Sequence, residues 1–162
     1  MSELTHLNAA GEAHMVDVST KDATSRTAVA FARVVLGRSI IERIYADEMP
    51  KGDVLATVRI AGIQAAKQCS TLIPLCHPLP LDKVSVDISQ AGEDAIEIQT
   101  SCTTTGKTGV EMEALTAASV AALTLYDMCK ALDKGILIET IHLLEKTGGK
   151  SGNWRAEEKD RG

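Results

Sequence analysis

The order in which apolar residues alternate or recur along this chain predicts an α+β fold, a ferredoxin-like split β-α-β sandwich with an additional N-terminal strand. Three observations carry that expectation. Two alternating runs flank the turn-rich Gln90-Ala91-Gly92-Glu93-Asp94, and two helix-length apolar runs separate strand-like segments. The chain's 162 residues, 44% of them hydrophobic, suffice for one core. With no repeat, low-complexity run or linker to divide it, 1–162 reads as a single domain, with 153–162 as a flexible tail.

The elements follow in order. Between His14 and Val18, and again from Ser25 to Leu36, apolar residues alternate with others, and the β-branched content favours strands. After Pro50, the run Gly52 to Thr71 spaces Val54, Leu55, Val58, Ala61 and Ala65 near the helical period, so a helix is expected that ends before Pro74. Pro74, Pro78 and Pro80 then exclude a long helix or central strand through Leu72 to Leu81. Lys83 to Ile88 and Ala95 to Cys102 alternate and form a hairpin. Val110 to Leu132 is a long Ala/Leu/Met-rich helix stopped by Asp133-Lys134-Gly135, and Ile136 to Leu144 closes as a strand.

Composition excludes several partners. A net charge of −5 and 2% aromatic content argue against a nucleic-acid surface, which needs bulk positive charge and stacking platforms. The N-terminus has no basic segment followed by an apolar run, and no stretch reaches the length of a membrane span, so the expectation is a cytoplasmic protein off the membrane. Cys69, Cys76, Cys102 and Cys129 are widely spaced and form no CxxC pair, which fits reduced thiols rather than a disulfide framework or a metal site.

Chemistry concentrates in a few segments. The proline-braced loop presents Leu75, Cys76 and His77, and His77 alone reads equally well as a core histidine bonded to a carbonyl. In Thr105-Gly106-Lys107-Thr108-Gly109-Val110-Glu111-Met112-Glu113, two glycines flank a lysine before a helix, an arrangement suited to an anion but also to a plain strand-to-helix turn. It is no P-loop, because Ser101 stands where the first glycine belongs. Lys146-Thr147-Gly148-Gly149-Lys150 repeats the glycine-cradled lysine. Glu111 and Glu113 suit a helix start in any case. Asp127 and Lys130 share one helix face, as an ordinary i,i+3 pair or as a tuned proton-transfer pair. Lys51 stands at a helix start, a poor place for a cation unless an anion joins it, and Lys67 lies in a further candidate segment. Solvated surface lysine is the plain alternative for each.

Taken together, Lys51-Gly52-Asp53, Arg59 to Lys67, Leu72 to Leu79, Thr105 to Thr116 and Tyr126-Asp127-Met128-Cys129-Lys130 resemble the molybdenum cofactor biosynthesis protein C family, the cyclic pyranopterin monophosphate synthases. The resemblance runs from about His6 to Gly152 in five motifs in the family's order, with Gly37 to Met49 and the acidic tail left unconstrained. Gln68-Cys69 departs from the basic or hydroxyl residues of that family position.

The resemblance implies a ferredoxin-like catalytic domain assembled as a homohexamer, a trimer of dimers with sites at the dimer interface. It implies as substrate 3′,8-cyclo-7,8-dihydroguanosine 5′-triphosphate, converted to cyclic pyranopterin monophosphate and pyrophosphate. By matched position Asp127 would be the catalytic acid/base, with Lys51 and Lys130 as catalytic lysines. Leu75, Cys76, His77, Met112 and Glu113 would contact substrate, with Glu111 beside them and Lys67, Lys107 and Lys146 toward the phosphates. No redox cofactor and no protein-held metal are expected; magnesium would enter only with the triphosphate. Two other classes remain open on the residues: a nucleotide-binding regulatory module, and an RNA-recognition domain sharing the element order, whose surface aromatics are missing from 83–88 and 95–102.

Overall fold

A computed structural model describes residues 7–8, 10–150 and 152–157 of the chain. His6, Ser151 and the tail positions 158–162 lie outside the described residues. The elements are β1 (Thr24–Val35), α1 (Arg38–Tyr45), α2 (Val54–Lys67), α3 (Cys69–Leu72), β2 (Lys83–Ala91), β3 (Ala95–Gly106), α4 (Glu111–Cys129), β4 (Leu137–Thr147) and β5 (Trp154–Arg155). The strands pair in the order β2-β3-β1-β4-β5, every pair antiparallel. With β3 between β1 and β2, and β1 between β3 and β4, both crossovers are split, the topology expected for a ferredoxin-like α+β sandwich.

Helices α2 and α4 lie together on one face of the sheet. Alternation explains which strand residues they cover: Ala28, Ala30, Ala32 and Val34 of β1 and Ile96, Ile98, Thr100 and Cys102 of β3 point inward and are buried. Opposite them, α4 buries Ala114, Ala117, Ala118, Ala121, Ala122 and Leu125. Small side chains let this helix sit close to both the sheet and α2. At Gly62 of α2 an added Cβ would stand 3.0 Å from a Val86 methyl and 3.3 Å from the Ala117 carbonyl oxygen. A buried hydrogen bond from Thr100 Oγ1 to the Ala114 carbonyl (2.7 Å) fixes the first turn of α4 against β3.

Three local features depart from the expectations or add to them. Residues 14–18 do not form an additional N-terminal strand: the Val16 carbonyl accepts from the His77 ring and the Val18 carbonyl from the Lys21 N–H, and the nearby bridge between Leu7 and Ala13 is isolated. Part of 37–49, which carried no reading from sequence, is helix α1, burying Ile40, Ile41 and Ile44. In the segment read as a tail, Trp154 and Arg155 pair with Lys146 and Glu145 of β4.

Candidate functional site

The proline-braced segment is held from both sides. The Thr104 hydroxyl donates to the Pro80 carbonyl, the Asp82 N–H donates to the Thr103 carbonyl (2.8 Å), and the Cys76 N–H donates to the Ile73 carbonyl (3.1 Å). These bonds replace the ladder that proline denies and seat Leu75, Cys76 and His77 beside the N-terminus of α4. His77 is half-buried, and its Nε2 lies 2.8 Å from the Val16 carbonyl oxygen. A carbonyl can only accept, so Nε2 carries the proton. This histidine is thus bonded to a carbonyl and also lines a cavity.

That cavity has a volume of about 720 Å³. Leu75, Cys76, His77, Lys107, Glu111, Met112, Glu113 and Lys146 all line it. So do Lys21, Arg26 and Lys150. Five cationic side chains stand around one hollow with the carboxyl groups of Asp22, Glu111 and Glu113, so its lining carries more basic than acidic groups, unlike the chain as a whole. Lys21 and Arg26 were not singled out from the sequence: one stands in an irregular segment and the other at an alternating strand position, with no motif around either. Lys67, by contrast, ends α2 in an exposed position outside the cavity lining.

Three of the five cations are already engaged. Lys146 Nζ pairs with Glu111 Oε1 at 2.8 Å, and Lys107 Nζ donates to the Ser19 carbonyl (2.7 Å). Arg26 Nε donates to the Gly106 carbonyl (3.0 Å) while its guanidinium lies against Gly149. Gly149 (φ +77°) and Gly148 (φ +89°) are both left-handed, and a Cβ at Gly148 would run into the Ser25 carbonyl. The glycine-cradled lysine loop is thus built for close approach to β1.

Glu113 differs from Glu111. It is 4% exposed, and among the described residues no cation pairs with it. Burial pushes its carboxyl above the ordinary value, its own N–H opposes that shift, the Glu111 charge adds to it, and the Cys69 thiol also opposes it. All four cysteines are free thiols. Burial raises Cys69 and Cys129 to about 11 and Cys102 to about 12.

A second cluster lies at the other end of α4. Lys51 Nζ reaches Asp127 Oδ2 at 2.8 Å and the Asp127 carbonyl oxygen at 2.9 Å, while Lys130 Nζ reaches Oδ1 at 2.7 Å. The anion required beside Lys51 is Asp127. Asp53 caps α2 through the Ala56 N–H (2.9 Å), and left-handed Gly52 turns the chain so that Lys51 reaches across to α4. Hydrogen bonds from Lys130 and then Lys51 hold the Asp127 carboxyl down at about 2, and Asp127 in turn raises Lys130. None of these three residues lines the cavity. Arithmetic gives 127 − 113 = 14 residues between the clusters, roughly 21 Å along the helix.

Two chemically equipped clusters, one polycationic with a buried carboxyl and one lysine-aspartate-lysine, thus stand on a ferredoxin-like frame. The sequence matches the MoaC family over residues 15–149. The chain belongs to the MoaC family. It is accordingly an enzyme of molybdenum cofactor biosynthesis, and this family membership points to a small, nucleotide-derived substrate. Apart from Lys150, both clusters fall within the matched residues. Among the described residues no helix is long and apolar enough to cross a membrane, and no group of three or more His, Cys, Asp or Glu side chains is arranged to hold a metal ion.

Proposed function

We propose that this MoaC-family chain is a cyclic pyranopterin monophosphate synthase, a phosphorus-oxygen lyase that converts 3′,8-cyclo-7,8-dihydroguanosine 5′-triphosphate to cyclic pyranopterin monophosphate and pyrophosphate. We further propose a cytoplasmic homohexamer, a trimer of dimers, whose sites are each shared by two copies. The observation that carries the reading is the split of the chemistry between the ends of α4. Met112, Leu115, Ser119, Leu123 and Asp127 fall on one face of that helix at 3.6 residues per turn. Met112 and Leu123 on this face, and Ile60 on neighbouring α2, are exposed apolar side chains, Ile60 at 67%. A two-fold partner laying its α4 antiparallel on this stripe would cover them, and would bring the partner's Lys51-Asp127-Lys130 cluster to this chain's cavity.

In that arrangement the triphosphate occupies the cationic wall of Lys21, Arg26, Lys107, Lys146 and Lys150. Leu75, Cys76, His77, Glu111, Met112 and Glu113 surround the purine-derived ring. Arrival of the phosphates competes with Glu111 for Lys146 and with the Ser19 carbonyl for Lys107, so charge is exchanged for charge rather than stripped from water. Lys67 remains a candidate for the phosphates only from a neighbouring copy.

Ring rearrangement breaks and makes C–N bonds, which requires proton donors and acceptors in sequence. Lys51 and Lys130, both paired with Asp127, supply protons to departing nitrogen. As phosphate draws an ammonium away from Asp127, the carboxylate loses the contacts that depress its pKa and becomes a better base. Closure of the cyclic phosphate follows when a ribose hydroxyl attacks the α-phosphorus, the bond to the bridging oxygen breaks and pyrophosphate leaves. The lysines stabilise the charge that develops on the phosphoryl oxygens. No redox cofactor enters this scheme, and magnesium enters only as the companion of the triphosphate.

A regulatory nucleotide-binding module is the second reading, favoured by the ready-made polyanion cavity. An RNA platform is disfavoured because the uncovered sheet face carries Arg33 already bridged to Glu97 (3.1 Å) and Glu139 (2.8 Å). Incubating the purified chain with the cyclised triphosphate and following products by mass spectrometry separates the readings. A synthase releases pterin product and pyrophosphate in equal amounts; a regulatory module binds the triphosphate and returns it intact.

A further inference from the structure

Between Ala13 and Thr24 the chain forms part of the cavity wall with no ladder to hold it. The bridge between Leu7 and Ala13 ends before this strap begins, and the pairing of β1 starts at Thr24. Val16, Val18, Lys21 and Asp22 of the strap line the cavity. Val16 and Val18 are half-buried, whereas Met15, Asp17 and Ser19 are exposed, so alternate side chains turn inward as in a strand that has no partner strand.

Among the described residues, two hydrogen bonds join residues 14–23 to the rest of the chain: His77 Nε2 to the Val16 carbonyl oxygen (2.8 Å) and Lys107 Nζ to the Ser19 carbonyl oxygen (2.7 Å). The other bonds of the strap are internal. Asp17 Oδ1 accepts the Ser19 N–H (2.8 Å), and the Val18 carbonyl accepts the Lys21 N–H (3.1 Å) in a turn that leads Lys21 to the cavity. A segment tied by two side chains opens more readily than a laddered strand. The two ties also differ in kind. Lys107 is an ammonium on the cavity wall, and a polyanion arriving there draws it away from Ser19. The His77 N–H is committed to a carbonyl, and its base is rigid: Pro78 follows it, and the Pro80 carbonyl and the Asp82 N–H are both bonded to β3.

We propose that His77 is a positioning residue, the latch of this strap: its ring N–H holds Val16 in place when Lys107 turns to a polyanion, and so keeps Lys21 in the cavity wall against the phosphates of a bound triphosphate. The part played by Lys21 rests on the proposed function; the latch does not. Toward the phosphates His77 acts through the strap and not by contact. Removing His77 and removing Lys21 therefore cost the same interaction, and the two losses do not add.

Methyl relaxation of Val16 and Val18 in the ligand-free, methyl-labelled chain tests the latch. His77→Phe keeps an aromatic ring and loses the N–H, so the order parameters of both valines should fall while that of buried Val34 in β1 stays unchanged. His77→Gln, whose side-chain amide still donates from about the place of Nε2, should restore them. His77→Ala stands in if His77→Phe fails to fold. Unchanged strap methyls in the variant that lacks the donor overturn the latch. Strap methyls equally loosened in His77→Gln would assign the effect to the packing of the ring rather than to its N–H, and overturn it as well.

Calorimetry with inorganic triphosphate, a polyanion without base or sugar, tests the consequence. Lys21→Ala should weaken its binding about tenfold, the usual worth of a hydrogen bond between charged groups, and His77→Phe about threefold to tenfold. In the double variant the loss should stay within about twofold of the larger single loss, whereas independent contacts would multiply. Multiplied losses, or no loss in Lys21→Ala, overturn the action of His77 through the strap. If the unsubstituted chain binds no inorganic triphosphate, the triphosphate reading of the cavity falls and the part of Lys21 with it, while the methyl measurement still decides the latch.

Discussion

Glu113 and Asp127 stand on one face-sharing helix in opposite electrostatic settings: Glu113 is buried with no cation pairing among the described residues, and Asp127 is exposed between two ammonium groups. The first carboxyl is raised and the second depressed. Environments that push two carboxyls apart are what acid-base chemistry near neutral pH requires. Their separation along α4 prevents one small substrate from touching both within a single chain.

The proposed shared site is tested by mixing. An equimolar refolded mixture of Glu113→Gln and Asp127→Asn, each with only residual turnover alone, should recover about one quarter of wild-type turnover, since half the pairs are mixed and each holds one intact site of two. Product formation is measured after native mass spectrometry has shown mixed assembly. Turnover that stays at background in demonstrably mixed pairs would confine the site to one chain.

Glu113 should also limit stability. Its folded value lies above its unfolded one, so the folded chain binds the extra proton and the cost of ionising a buried carboxyl grows as pH rises from about 4.5 through the folded value. Glu113→Gln should therefore melt higher than wild type at pH 7 and 8, with the advantage fading at or below pH 4.5, while activity is lost. Thermal melts across that range check it, and a variant less stable than wild type at pH 8 would contradict the desolvation argument.

The fold was legible wherever periodicity ran long. The β2–β3 hairpin, α2 and α4 each bury one uninterrupted face, and their patterns survive in the sequence. Short elements were not. Helix α1 offers only Ile40, Ile41 and Ile44, and its N-terminal flank is Gly37, which supplies no capping side chain. Residues 14–18 alternate like a strand, but the Val16 carbonyl is taken by the His77 ring and the adjoining Ser19 carbonyl by Lys107, not by another strand, a tertiary fact with no local signature. For the same reason Lys21 and Arg26 went unread, whereas Lys107 and Lys146 announced themselves through neighbouring glycines.

Those glycines make their own prediction. At Gly148 the backbone is left-handed and a Cβ would collide with the Ser25 carbonyl of β1, a partner that cannot rotate away. Gly148→Ala should cost about 1–3 kcal/mol of stability, the usual range for a non-glycine residue forced into that region. It should also weaken triphosphate binding, because the loop carries Lys146 and Lys150 and packs on Arg26. Chemical denaturation and calorimetry measure the two effects; an unchanged denaturation midpoint would mean that the loop moves freely.

Lys51 and Lys130 should govern turnover more than affinity. Each holds one oxygen of Asp127 and neither lines the cavity of its own chain, so Lys51→Ala or Lys130→Ala should reduce kcat by about 10²-fold or more, the usual contribution of a general acid or base, while Kd changes by less than about tenfold. Asp127 sets the pH window. Its depressed carboxyl stabilises the cluster above the ordinary value of 3.8 and loses that contribution only as pH falls toward about 2. The raised Lys130 ammonium contributes fully below 10.5 and is lost as pH climbs through its higher folded value. Asp127→Asn removes the hydrogen-bonded carboxylate that raises Lys130, so the alkaline limb of kcat/KM should move to lower pH along with the fall in kcat. If either lysine variant retained turnover within tenfold of wild type, or if the alkaline limb of Asp127→Asn stayed where it was, the lysine-aspartate-lysine cluster would be a structural ion pair and the protons would have to come from His77 or Glu113 instead.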